Sequence, residues 1–251
     1  MIVLHETIYT DTKNVTPLAY LVRPDDDRVY PGVVLIQEWW GVEPHIMELA
    51  ERMAREGFVV MVPDLYHGKV SNEPDDAQKL VMALTSNMER AIGEIVLALE
   101  YLRNNAGVQP KKLGLMGFCM GGYLTFKTAE QYPHLGAISP WYGGRYNPSP
   151  EDVAKIKAPV LAVYGELDRG IPVEGVRKVE QMYKDAGKPA EGAERLAAIA
   201  RMAEQTRSDG ILISALVGAA IASYGCAGTE VAFELRALTP SSARTILNAL
   251  R

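Results

Sequence analysis

The chain has 251 residues, a length suited to one large α/β domain with a substantial core. Hydrophobic residues make up 48% and charged residues 23%, the balance of an ordinary soluble globular protein. A net charge of −5 with no Lys/Arg cluster argues against a nucleic-acid surface, and two far-apart cysteines, Cys119 and Cys226, without CxxC spacing argue against a disulfide framework or a zinc site.

In chain order, residues 2–9 and 15–22 read as two edge strands joined by the polar turn 11–14. Residues 32–37 form a nearly all-apolar strand, the type buried on both faces of a parallel sheet. Ile46, Leu49 and Met53 give residues 45–56 helical spacing, ended by Gly57. Residues 58–62 are a second buried strand, 75–104 hold one or two helices, and 112–116 are a third strand. Strands follow at 136–140 and 159–164, then an amphipathic helix at 173–186. Over residues 1–188 this alternation predicts a doubly wound, mostly parallel sheet with right-handed crossovers.

Residues 189–251 read as an atypical, mainly helical segment that replaces the last strand and its loop. An Ala-rich amphipathic helix is expected over 191–206, and Thr239-Pro240 starts another as N-cap and first turn. Residues 211–228 carry no charge, but the run is diluted by Gly, Ala, Ser and Cys. It reads as a buried helix or a replacement strand over 211–217 rather than a membrane span. Without a true last strand, the 159–164 strand would be an open edge, covered by tail helices or by a second chain. The opening Met1 to Glu6 lacks a basic n-region and a long apolar h-region, so a reducing cytoplasm is the expected compartment.

The chemistry concentrates in Gly117-Phe118-Cys119-Met120-Gly121-Gly122, between the 112–116 strand and a helical pattern. A Gly-x-nucleophile-x-Gly turn between strand and helix lifts the central side chain above the sheet. At a helix N-terminus the thiolate of Cys119 is favoured, which lowers the expected thiol pKa. The Met120 N–H is in position to bind an oxyanion, and Trp39, in the loop after the 32–37 strand, is the second expected donor. Asp168 follows the 159–164 strand at its C-terminal end, where catalytic groups of parallel sheets collect. Glu38, at the end of the 32–37 strand, is a carboxylate that either accepts the thiol proton or holds the thiol neutral. Each residue has a plainer reading: a packed cysteine, a turn aspartate and a loop charge. Trp39, Trp40, Trp141 and Tyr142 suggest an aromatic-walled pocket.

At these residues the chain resembles the dienelactone hydrolase family, the carboxymethylenebutenolidases and their relatives. The matching stretches are Gln37-Glu38-Trp39-Trp40-Gly41, Val62-Pro63-Asp64-Leu65-Tyr66, the Cys119 elbow, Trp141-Tyr142-Gly143-Gly144, and Gly165-Glu166-Leu167-Asp168 with Ile171-Pro172. The resemblance implies a single α/β-hydrolase domain with a Cys-His-Asp triad, an active-site glutamate at Glu38, and no metal or organic cofactor. It also implies hydrolysis of the enol-lactone of a carboxylated butenolide to maleylacetate through an acyl-cysteine, in aromatic-compound degradation.

The triad base is missing from that pattern. The four histidines are His5, His45, His67 and His134, and none follows Asp168. His45 lies on the correct edge of the sheet and is the candidate surrogate base; His67 is weaker, and His134 falls at the wrong end. The expected activity is therefore an impaired cysteine hydrolase acting on a small ester or lactone, as a monomer or homodimer. The alternative is a non-catalytic relative that binds a small ligand or serves as a scaffold.

Overall fold

A computed structural model describes residues 1–9, 17–105, 107–165, 168–187 and 231–234. The turn at 11–14, the helices expected at 191–206 and from Thr239, and the uncharged run 211–228 lie outside the described residues.

The strands are β1 (Val3–Tyr9), β2 (Pro17–Pro24), β3 (Tyr30–Ile36), β4 (Val59–Pro63), β5 (Val108–Phe118), β6 (Ala137–Trp141), β7 (Val160–Val163) and β8 (Val231–Glu234). They form one sheet in the order β1-β2-β4-β3-β5-β6-β7-β8. β1, β2 and β4 pair antiparallel, and every pairing from β4 to β8 is parallel. The helices are α1 (Pro44–Arg55), α2 (Pro74–Thr85), α3 (Met88–Arg103), α4 (Met120–Ala129), α5 (Pro150–Lys155) and α6 (Val173–Asp185).

The unbroken apolar runs of β3 and β4 follow from cover on both faces. Val33, Leu35, Val60 and Val62 pack with Ile46, Leu49 and Met53 of α1. Their neighbours Val34, Ile36, Val59 and Met61 point the other way, into the cluster containing Ile95, Leu99 and Leu102 of α3. Each such side chain contributes about 1.5–3 kcal/mol when fully buried, so a strand with no polar position is stable only between two layers. The 75–104 segment resolves into two helices because the Asn87 side chain caps α3, accepting from the Arg90 N–H at 3.1 Å.

Three expectations change. Of the two expected edge strands only β1 lies at an edge; β2 is paired on both sides, and β8 forms the opposite edge of the sheet. The β7 edge is not open, because β8 pairs with it in parallel from Val160↔Val231 to Val163↔Glu234. The tail therefore does supply a last strand, at Val231–Glu234, although periodicity alone read this region as mostly helix. Third, the short helix α5 was not anticipated; Ser149 and Asp152 form a capping box at its start. Among the described residues, no helix is long and apolar enough to cross a membrane.

Candidate active site

Four neighbouring parallel strands, β3, β5, β6 and β7, lead at their C-terminal ends into Glu38, Cys119, Tyr142 and Asp168. This is the rim where open α/β sheets carry their ligands.

The elbow is set by backbone proximity. A Cβ on Gly117 would lie 2.4 Å from the Gly121 carbonyl, and one on Gly121 would lie 2.7 Å from the carbonyl oxygens of Ile36 and Gln37. Only glycine lets the turn close on itself and on β3. Cys119 is held at φ 53°, ψ −115°, a conformation that costs a non-glycine residue about 1–3 kcal/mol. Its N–H donates to the Trp141 carbonyl at 3.0 Å, and its carbonyl accepts from the Tyr123 N–H at 3.1 Å. The side chain is exposed at the rim, and α4 begins at the next residue.

The thiol does not behave as a helix N-terminus alone would dictate. Partial burial among surrounding protein atoms pushes it above the ordinary cysteine range, and the charges of Glu38 and Asp168 push the same way. The Met120 N–H hydrogen-bonds the sulfur and favours the anion, but it is outweighed. The expected lowering of the thiol pKa is thus reversed, because two carboxylates and a desolvated setting surround one backbone donor.

Glu38 is half-buried, and burial raises its carboxyl above the usual range. The Tyr142 hydroxyl, donating to Oε1 at 3.1 Å, and the His45 charge pull it back, while Glu43 opposes them. Glu38 and Gly41 form an isolated bridge, so residues 38–41 make a tight turn. The Trp39 N–H has no acceptor among the described residues, leaving it available to a ligand. Trp39 and Trp40 pack together with ring centroids 4.7 Å apart.

Asp168 is exposed, and its Oδ1 accepts the Gly170 N–H at 2.8 Å. None of the four histidines hydrogen-bonds to it among the described residues. His5 lies 3.9 Å from Glu51, His67 Nε2 is 3.1 Å from Glu94 Oε1, and His134 packs edge-on against Tyr132. His45 is exposed at the start of α1, where its charge reaches Glu38. The structure thus brings Glu38, Cys119, Met120 and Trp39 to one rim, has Asp168 acting on the thiol, and leaves His45 on the Glu38 side.

Two residues gain site roles that the sequence did not assign. Tyr66 donates its hydroxyl to the Met120 sulfur at 3.5 Å, and the Cys119 charge helps raise its pKa, after burial. Its loop is pinned by Gln37 Oε1, which accepts the Leu65 N–H at 3.1 Å, and by Asp64, which accepts the N–H groups of Tyr66 and Gly68. The other is Tyr142, whose bond to Glu38 spans 104 residues of sequence. From the sequence, Tyr66 was only part of a matching stretch and Tyr142 only a candidate pocket wall. Trp141 corrects the aromatic-wall expectation: it is buried against Phe118, and its Nε1 donates to Ser139 Oγ at 2.9 Å. Among the described residues no three His, Cys, Asp or Glu side chains converge as a metal site.

Comparison with known proteins gives the family and the fold. "Protein usf" of Aquifex pyrophilus is 37% identical over 142 residues, 55% of this chain and 62% of that protein. A Methylorubrum extorquens protein named "Putative carboxymethylenebutenolidase" is 32% identical over 182 residues, 68% of this chain and 62% of that protein. The chain thus spans a little over three-fifths of the length of these two relatives. A solved structure from Klebsiella pneumoniae named "Putative Dienelactone Hydrolase" shares the fold, with a TM-score of 0.67 at 20% identity, covering 100% of this chain and 97% of that one. The family model described as "Dienelactone hydrolase family" matches residues 18–192, more than half of the sequence, and the chain belongs to that family.

Proposed function

We propose that this chain is a cysteine hydrolase of a small carboxylated ester or lactone, working through an acyl-Cys119 intermediate that it releases slowly. The observation that carries this reading is the strained Cys119 elbow, whose thiol feels the charges of both Glu38 and Asp168.

In this reading Glu38 takes the thiol proton as substrate arrives. The sulfur attacks the carbonyl carbon and a C–S bond forms. The carbonyl electron pair moves onto oxygen, which the N–H groups of Met120 and Trp39 receive. Collapse breaks the ester C–O bond, and the leaving oxygen takes the proton back from Glu38. The resulting thioester needs a base to activate water, and no histidine follows Asp168 to serve as one. Loss of a triad base costs several orders of magnitude, so deacylation limits turnover. A second reading, a ligand-binding relative without catalysis, is favoured by that same missing histidine.

Intact mass after incubation with a small activated ester tests both, with Cys119→Ala as control. A persistent acyl adduct that vanishes in the variant is the expected result. Released product without an adduct, also lost in the variant, would refute the slow step and make His45 the next residue to replace. Neither adduct nor product would refute catalysis and leave the binding reading.

A further inference from the structure

Tyr142 is an unusual residue at an unusual place. It follows β6 directly and adopts φ 38°, a left-handed conformation that a bulky side chain rarely accepts. It is pinned on both sides of this strain: its N–H donates to the Val163 carbonyl at 2.6 Å, and its carbonyl accepts the Gly144 N–H at 2.9 Å. Gly143 beside it sits against Gly122 of α4, where an added Cβ would come within 2.7 Å of backbone. Tyr142 is thus held at a turn fixed on both sides by backbone. It sits 5.9 Å from the Phe118 ring, with its hydroxyl 3.1 Å from Glu38 Oε1.

We propose that Tyr142 is a positioning residue for Glu38: its hydroxyl fixes Oε1 of the carboxylate, leaving Oε2 to take the proton of the Cys119 thiol. This rests on the reading above that Glu38 serves Cys119. The groups acting on Glu38 are Tyr142 from the end of β6 and His45 and Glu43 from the start of α1. Those acting on Tyr142 are Glu38 and Cys119. Burial and both of these charges raise the Tyr142 hydroxyl, so it stays protonated and remains a donor across the accessible pH range. A donor to a carboxylate favours the ionised form, which here opposes the desolvation that raises the Glu38 carboxyl. The strain at Tyr142 is what aims that donor.

The test is the rate of Cys119 alkylation by iodoacetamide as a function of pH, read on the Cys119 peptide by mass. In this step an S–C bond forms, iodide leaves, and the thiol proton passes to Glu38 and then to solvent. The wild-type rate is expected to rise in two limbs, the lower as Glu38 ionises and the upper as the thiol itself does. Tyr142→Phe keeps the ring and removes the donor. It is expected to move the lower limb up by about one pH unit, the loss of one hydrogen bond to a charged group. Glu38→Gln is expected to erase the lower limb, and adding Tyr142→Phe to it to change nothing further. A lower limb erased by Glu38→Gln but unmoved by Tyr142→Phe would overturn the role of the tyrosine and leave that of Glu38. An equal fall at every pH in both backgrounds would mean a purely structural tyrosine and would also overturn the proposal. No response to Glu38→Gln would overturn the tyrosine's role together with the reading beneath it.

Discussion

Replacing Gly122 by alanine tests the packing that builds the elbow. The new Cβ would lie 2.4 Å from the Trp141 carbonyl oxygen and 3.1 Å from both Cα and N of Gly143. All three neighbours are backbone, so no side chain can swing aside, and α4 must move away from β6. Overpacking of this kind costs about 1–3 kcal/mol, and rigid neighbours put this site at about 3 kcal/mol. Alanine returns at most about 1 kcal/mol of helix propensity, leaving a net loss of about 2 kcal/mol. Urea unfolding reads this directly. With a slope of about 3 kcal/mol per molar, the midpoint falls by about 0.7 M while the slope is unchanged. Gly93→Ala is the control of opposite sign. Gly93 lies inside α3 and a Cβ there would meet nothing within 4 Å. Propensity alone then operates, and the midpoint rises by about 0.3 M, or about 1 kcal/mol. A Gly122→Ala protein as stable as wild type, or two variants that shift the same way, would refute the reasoning from backbone proximity.

Two further predictions concern stability. Burial raises the Glu38 carboxyl in the folded protein, so the native state binds that proton more tightly than the unfolded chain does. Ionising Glu38 therefore costs stability: the cost is absent below the unfolded carboxylate range, about pH 4, and complete above the folded pKa. Glu38→Gln should raise the melting temperature at about pH 7.5 and leave it unchanged at about pH 4; a gain equal at both would contradict the assigned cause. Ser149→Ala removes the acceptor for the Asp152 N–H at the start of α5 and should cost about 1 kcal/mol in the same urea assay. An unaltered midpoint would mean that α5 does not depend on its capping box.

Much of the fold was legible because its signals are local. The apolar runs of β3 and β4 can be satisfied only between two layers of helix. The spacing of Ile46, Leu49 and Met53 set the buried face of α1 before its neighbours were known. The glycines around Cys119 marked a turn that no other residue could close. The dienelactone hydrolase family was readable for the same reason: each of its stretches is a short piece of backbone geometry written in consecutive residues.

What escaped was non-local. Val231–Glu234 is four residues long and becomes a strand only because β7 offers a free row of hydrogen-bonding groups. Tyr142 and Glu38 meet only when β3 and β6 are brought to either side of β5. The sign of the Cys119 shift belongs to the same class. A helix N-terminus after the cysteine was visible in the sequence and argues for a lowered pKa. The surrounding protein mass and the two carboxylates that reverse it come from other strands, and their joint field exists only once those strands are side by side. By itself the sequence determined that a thiol would stand at a strained turn, and that no histidine follows Asp168. Only the tertiary structure decided which charges that thiol would feel, because electrostatic energy depends on distances in space that chain order does not specify.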